Sequence, residues 1–109
     1  MKRYCLALDL VDDPQLISEY EAHHRTVSAE IKKSITDSGI TVMDIYRAGN
    51  RLFMIMEVDD TFSFERKAAM DAANPAVQVW EGLMWKYQQA LPVAKEGEKW
   101  IMMDQIFGL

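Results

Sequence analysis

Tyr20 and His24 stand four residues apart in EYEAHH, inside a stretch with helical periodicity. On a helix that spacing puts a phenol and an imidazole on one face, one above the other. An imidazole has an ordinary pKa of about 6.5, so its acid and base forms are both populated near neutrality, which suits it to proton transfer. The phenol can hydrogen-bond either the ring or a ligand hydroxyl. The competing reading of His24 is a satisfied structural histidine on a core-facing stripe. His23 points about 100° away around the same helix and reads as exposed.

Few other residues rival that pair. Trp80 lies on the apolar stripe of a second helix, as core or as an indole for the C–H face of a sugar ring, and its neighbour Glu81 is an acceptor for hydroxyls. Trp85 and Trp100 read as packing. Asp44 and Glu57 fall in strands, each facing a polar cavity or pairing with Arg47 or Arg51. The eight methionines read as adaptable core filler rather than metal ligands. His23 and His24 diverge and make no metal motif, and no Gly-rich phosphate loop or nucleophile-elbow serine is present. The lone Cys5 reads as a small buried hydrophobe and fits a reducing cytoplasm.

The elements that must position these groups follow from the patterning. A chain of 109 residues, half of them hydrophobic, is expected to form one domain spanning residues 1–109 with a real core. A net charge of −5 with no basic stripe argues against nucleic acid as a partner. No signal peptide and no run near the roughly 18 apolar residues of a membrane span is expected. RYCLALDL alternates as a strand. Asp13-Pro14 starts a helix that is predicted to run to about Ser38 and stop at Gly39. TVMDIYR and RLFMIMEV form a hairpin across Ala48-Gly49-Asn50, the second so apolar that it reads as central with both faces covered. Residues 61–73 read as irregular and helical. Asn74-Pro75 opens a helix to Leu91, Pro92 closes it, and KWIMMDQIF is a last strand.

This βαββαβ order predicts an α+β, ferredoxin-like fold with an antiparallel four-stranded sheet and helices on one face. Two helices cover only one face, yet apolar side chains such as Phe53 and Ile55 point opposite Met54 and Met56. A second copy is the expected cover, giving a homodimer.

EYEAHH, the following AEI and helix-ending Gly, DIYRAGNRLFMIMEV, NPAVQVWEGLM and KWIMMDQIF together resemble the L-rhamnose mutarotase family, from Tyr4 to Phe107. WEGLMWKYQQALP and GEKW look closer to its L-fucose-associated members. The resemblance implies a dimeric α+β barrel that interconverts the α and β anomers of a deoxy-hexose with no cofactor or metal. It implies that His24 is the proton donor and Tyr20 binds substrate, and it makes both candidate catalytic residues, Tyr20 orienting the sugar or sharing the proton transfer. The first residue of a substrate-contacting tryptophan pair matches Trp80. The second falls on Glu81, a substrate-contacting tyrosine falls on Met43, and a tryptophan after the histidine falls on Ser28. Met43, Trp80 and Glu81 are thus the implied substrate-binding positions beside Tyr20. Glu81 in place of an indole points to L-fucose ahead of L-rhamnose, with Glu81 a candidate second base. The rival readings are a cofactor-independent monooxygenase or isomerase on the same barrel, and a non-catalytic ligand-sensing module.

Overall fold

Apolar and polar environments alternate along Arg51–Val58, and this alternation decides which way the sheet faces. In the computed structural model, which describes residues 2–109, Leu52, Met54, Met56 and Val58 are buried while Phe53, Ile55 and Glu57 are only half-covered. The strand is central in the sheet, as expected, but only one of its faces is covered.

The elements are β1 (Lys2–Leu10), α1 (Pro14–Arg25), α2 (Ala29–Asp37), β2 (Ile40–Ala48), β3 (Arg51–Val58), α3 (Phe64–Ala72), α4 (Pro75–Trp85), β4 (Gln88–Gln89) and β5 (Ile101–Met102). The sheet runs β2-β3-β1, and β4 and β5 both pair antiparallel with β1's remaining edge. This is the ferredoxin-like α+β topology, with its fourth strand position divided between two short pieces. Gly49 alone takes positive φ (61°) in the two-residue loop between β2 and β3, as a type II′ hairpin turn requires.

Four expected elements differ from the sequence reading. The long first helix breaks at Thr26–Ser28. Ser28 adopts an extended conformation and its hydroxyl accepts the Ile31 amide at 3.3 Å, so a fresh N-cap opens α2. Residues 64–72 form a regular helix rather than an irregular segment, capped by Ser63 on the Arg66 amide at 3.0 Å. The α4 helix ends at Trp85, short of Leu91, because Gln88 and Gln89 satisfy the backbone of Leu10 and Asp9 at the sheet edge. The last strand shrinks to Ile101–Met102, extended by one bond from the Met103 amide to the Cys5 carbonyl.

Two core clusters share the helix-covered face. One gathers Leu6, Ile40, Met54, Met56 and Val58; the other gathers Leu10, Tyr20, Leu52, Met84 and Tyr87. Each such side chain contributes roughly 1.5–3 kcal/mol by leaving water. The opposite face has no helix on it. Tyr46 is 58% exposed there, Cys5, Phe53 and Ile55 are half-covered rather than buried, and Asp9 is paired to Arg51 at 2.8 Å. Trp85 is also exposed rather than packed, with the Lys99 ammonium 4.3 Å from its ring centre.

Gly39 ends α2 at φ 101°, and a Cβ there would stand 2.7 Å from both Asp59 Oδ1 and Thr61 Oγ1 and 2.9 Å from the Phe62 amide nitrogen. Gly39→Ala is therefore expected to cost more than about 1 kcal/mol, lowering Tm by at least roughly 4 °C in a calorimetric scan.

Candidate active site

Helix α1 begins where Asp13 accepts the Leu16 amide at 3.1 Å and Pro14 fills the first helical position. It lies on the sheet by its Leu16–Tyr20 side. Tyr20 is 3% exposed, wedged among Leu10, Leu52, Met84 and Tyr87. Its hydroxyl meets the Gln88 side-chain amide at 3.5 Å, and burial pushes the phenol up from its ordinary range. Tyr20 is thus a neutral phenol near pH 7, a group that orients more readily than it ionises. The side-chain carbonyl oxygen of Gln88 is buried with no hydrogen-bond partner among the described residues, an uncommitted acceptor in the core.

One turn later, His24 Nδ1 lies 2.9 Å from the Tyr20 backbone carbonyl. A carbonyl only accepts, so Nδ1 carries the proton and Nε2 is left for other chemistry. The imidazole lies over the Tyr20 ring, with centres 4.4 Å apart, and meets Trp80 edge-on at 5.3 Å. Trp80 arrives there because Asn74 caps the Ala76 and Val77 amides and α4 buries Val77 and Met84 on the same side.

A cavity of about 470 Å³ opens between α1 and the β2–β3 hairpin. Its floor is Ile45, Leu52 and Tyr20, and His24, Glu21 and Arg47 bring polar atoms to it. Arg47 Nε donates to Glu21 Oε1 at 2.8 Å, tying α1 to β2 across 26 residues, and Arg47 Nη1 donates to the Gly49 carbonyl at 2.8 Å. The volume falls within the range of roughly 300–1,000 Å³ usual for small-molecule sites. A larger opening of about 700 Å³, bounded by Tyr46 and Phe53, belongs to the uncovered sheet face and is lined by none of the candidate catalytic or substrate-binding residues Tyr20, His24, Met43, Trp80 and Glu81.

The sequence-derived candidates thus divide. Tyr20, His24 and Trp80 come together. Met43 packs against the Leu6–Met54 cluster, and Ile45, two residues along the same face of β2, lines the cavity instead. Glu81, one position past Trp80, turns away around α4 and lies within electrostatic reach of Lys99. Glu21 and Arg47 were not picked out as site residues. Glu21 sits three residues before His24, a spacing that places them as neighbours on a helix, and this was the available signal. Among the described residues, no three His, Cys, Asp or Glu side chains form a metal-binding group, and no helix is long and apolar enough to cross a membrane.

His23 is half-buried rather than exposed. Its Nε2 is 3.2 Å from the Tyr87 hydroxyl, which donates to Glu19 Oε1 at 3.0 Å, and Lys86 stands 3.8 Å from the same oxygen. Hydrogen bonds from Gln15 and Tyr87 hold the Glu19 carboxyl below its ordinary range. A lowered carboxylate pKa stabilises the fold above the unfolded-state value, and that contribution disappears as pH falls through the folded-state value. Glu19→Gln should therefore lower Tm at neutral pH, with the gap to the unaltered protein closing in acid, as read by thermal scans across pH.

Three comparisons bear on this geometry. A family model described as L-rhamnose mutarotase matches residues 3–109. The L-fucose mutarotase of Xanthomonas campestris pv. campestris is 45% identical over 111 aligned positions, covering 100% of this chain and 89% of that protein. Among solved structures, the L-rhamnose mutarotase FA22100 of Formosa agariphila superposes with a TM-score of 0.72 at 20% identity, covering 100% of this chain and 99% of that one. Tetracenomycin F2 cyclase of Streptomyces glaucescens gives 0.62 at 16% identity, with coverage of 100% and 97%, a likeness of fold alone.

Proposed function

This chain belongs to the L-rhamnose mutarotase family, and from that premise we propose that it is an isomerase, a sugar mutarotase that interconverts the α and β anomers of a deoxy-hexose, L-fucose first and L-rhamnose next. The observation that carries the reading is the imidazole of His24, held by one nitrogen on the Tyr20 carbonyl and bordering a sugar-sized cavity with the other uncommitted. The choice of L-fucose is supported by the 45% identity to a protein named for that sugar.

Mutarotation opens the ring, turns the aldehyde about its bond to C2 and recloses on the other face. In the proposed reaction His24 Nε2 gives a proton to the ring oxygen as the C1–O5 bond breaks, and recovers it on closure. A positioned donor of this kind is worth about 10²–10⁴ in rate. Tyr20 forms part of the floor under the sugar, and Trp80 braces the imidazole from its edge. In the proposed reaction Met43 and Glu81, which do not line that cavity, transfer no proton. The rival monooxygenase and ligand-sensing readings have no comparable support.

The uncovered sheet face, with Tyr46, Phe53 and Ile55, and the exposed Ile106 and Phe107 near the C-terminus support a homodimer in the cytoplasm, where Cys5 stays a thiol. Ile55→Arg should convert it to a monomer in size-exclusion chromatography with light scattering; unaltered protein eluting as a monomer would refute the dimer.

Saturation-transfer NMR on L-fucose, L-rhamnose, galactose and mannose tests the activity. The unaltered protein should accelerate anomer exchange most for L-fucose, and folded His24→Ala should lose roughly 10²–10⁴ of that acceleration. Exchange by His24→Ala within threefold of the unaltered protein would remove the proton-donor role.

A further inference from the structure

A single imidazole leaves half of the reaction unassigned. Opening a cyclic hemiacetal needs a proton delivered to the ring oxygen and another taken from the anomeric hydroxyl. The two oxygens share one carbon, so donor and acceptor must approach from neighbouring directions within one cavity. We propose that Glu21 is the second proton-transfer group, the base that removes the anomeric proton while His24 protonates the ring oxygen; this rests on the mutarotase reading above.

Three features of the molecule support the assignment. Glu21 and His24 stand three residues apart on α1, where side chains are neighbours with Cβ atoms roughly 5–6 Å apart, and both border the same cavity. Glu81, the other candidate carboxylate, does not line that cavity and lies within electrostatic reach of Lys99. The Glu21 carboxylate is also oriented. Arg47 Nε holds Oε1 at 2.8 Å, and Arg47 is itself fixed on the Gly49 carbonyl, so Oε2 is the oxygen without a hydrogen bond among the described residues. Each proton-transfer group therefore has an acting atom and a fixed back: Nε2 of His24 held through Nδ1, and Oε2 of Glu21 held through Oε1. This is the arrangement of base and orienting partner that acid–base sites require.

The step balances. Starting from a protonated His24 and an ionised Glu21, Oε2 takes the O1 proton, the O1 electron pair forms the aldehyde C=O, and the C1–O5 bond breaks. Its electron pair goes to O5, which receives the Nε2 proton. After rotation about C1–C2, O5 attacks the opposite face of the aldehyde and returns its proton to His24. The carboxylic acid of Glu21 returns its proton to O1. One proton shared between the two groups is the working state, so the rate must fall both when Glu21 is protonated and when His24 is deprotonated. The other titratable or charged groups facing the pair are Tyr20 and Arg25 on α1 and Tyr46 and Arg47 on β2.

The test measures anomer exchange of L-fucose by saturation-transfer NMR, as maximal rate and half-saturation separately, across pH. Glu21→Gln should lower the maximal rate about 10²-fold with half-saturation changed less than about threefold, and should lose the acid-side fall of the pH profile while keeping the base-side fall. Formate should restore part of the rate to Glu21→Ala and none to His24→Ala. Arg47→Met, which leaves the carboxylate but not its anchor, should give an intermediate loss. A Glu21→Gln variant with an unchanged maximal rate, or one whose whole loss is in half-saturation, would overturn the assignment and leave Glu21 a hydroxyl-binding group. Absence of formate rescue in Glu21→Ala together with an intact acid-side limb in Glu21→Gln would overturn it equally. If the unaltered protein accelerates no sugar, the function itself fails and this pairing with it; if the unaltered protein is active and only the Glu21 results fail, the function stands without the pairing.

Discussion

Tyr20 has to bury an aromatic ring and still satisfy a hydroxyl, and the arrangement of the site follows from that double demand. A tyrosine ring brings some 150–250 Å² of mostly apolar surface out of water, a large contribution for one residue, but its oxygen needs a partner wherever it ends. Here the ring fills the space between Leu10, Leu52 and Met84, and the hydroxyl reaches the Gln88 amide at the sheet edge. That fixes the rotation of α1 on the sheet. With the rotation fixed, His24 one turn on must lie over the Tyr20 ring, its Nδ1 on the Tyr20 carbonyl. The same rotation turns Glu21 toward the hairpin and His23 toward Tyr87. Core and site are therefore one cluster, and the position of the imidazole is set by packing rather than by a loop.

The sheet edge exerts a second constraint. β1 would leave its outer backbone groups unpaired, and the chain meets this need twice, once with Gln88–Gln89 and again with Ile101–Met102. Satisfying that edge early cuts α4 short and sends residues 90–100 on an excursion before the chain returns. Gln88 is the residue that joins this edge to the site, since it pairs with Leu10 through its backbone and with Tyr20 through its side chain. Its unpartnered carbonyl oxygen is a cost of roughly 1–3 kcal/mol that the rest of the cluster offsets.

Much of the fold was legible because its signals are local. Asp13-Pro14 and Asn74-Pro75 start helices by capping chemistry, Gly39 ends one, and Gly49 supplies the positive φ of the hairpin turn. The misread boundaries arose where two local signals competed. Apolar periodicity ran through Thr26–Ser28, but the Ser28 hydroxyl offered the chain a new helix start and took precedence. The apolar run of β3 suggested cover on both sides, whereas its alternating burial places one face on the helices and leaves the other half-open.

The sequence alone determined that Tyr20 and His24 share a helix face, because 3.6 residues per turn is a property of the backbone and needs no other part of the chain. It also determined the order of elements and carried the family likeness that comparison bore out. The tertiary structure alone decided which residues meet that face. Arg47 reaches Glu21 from 26 residues away, Ile45 rather than Met43 borders the cavity, and Glu81 comes within electrostatic reach of Lys99 while Trp80 meets His24 edge-on. Those choices depend on the angle at which α1 and α4 cross the sheet, a result of packing many side chains at once that no short spacing along the chain records.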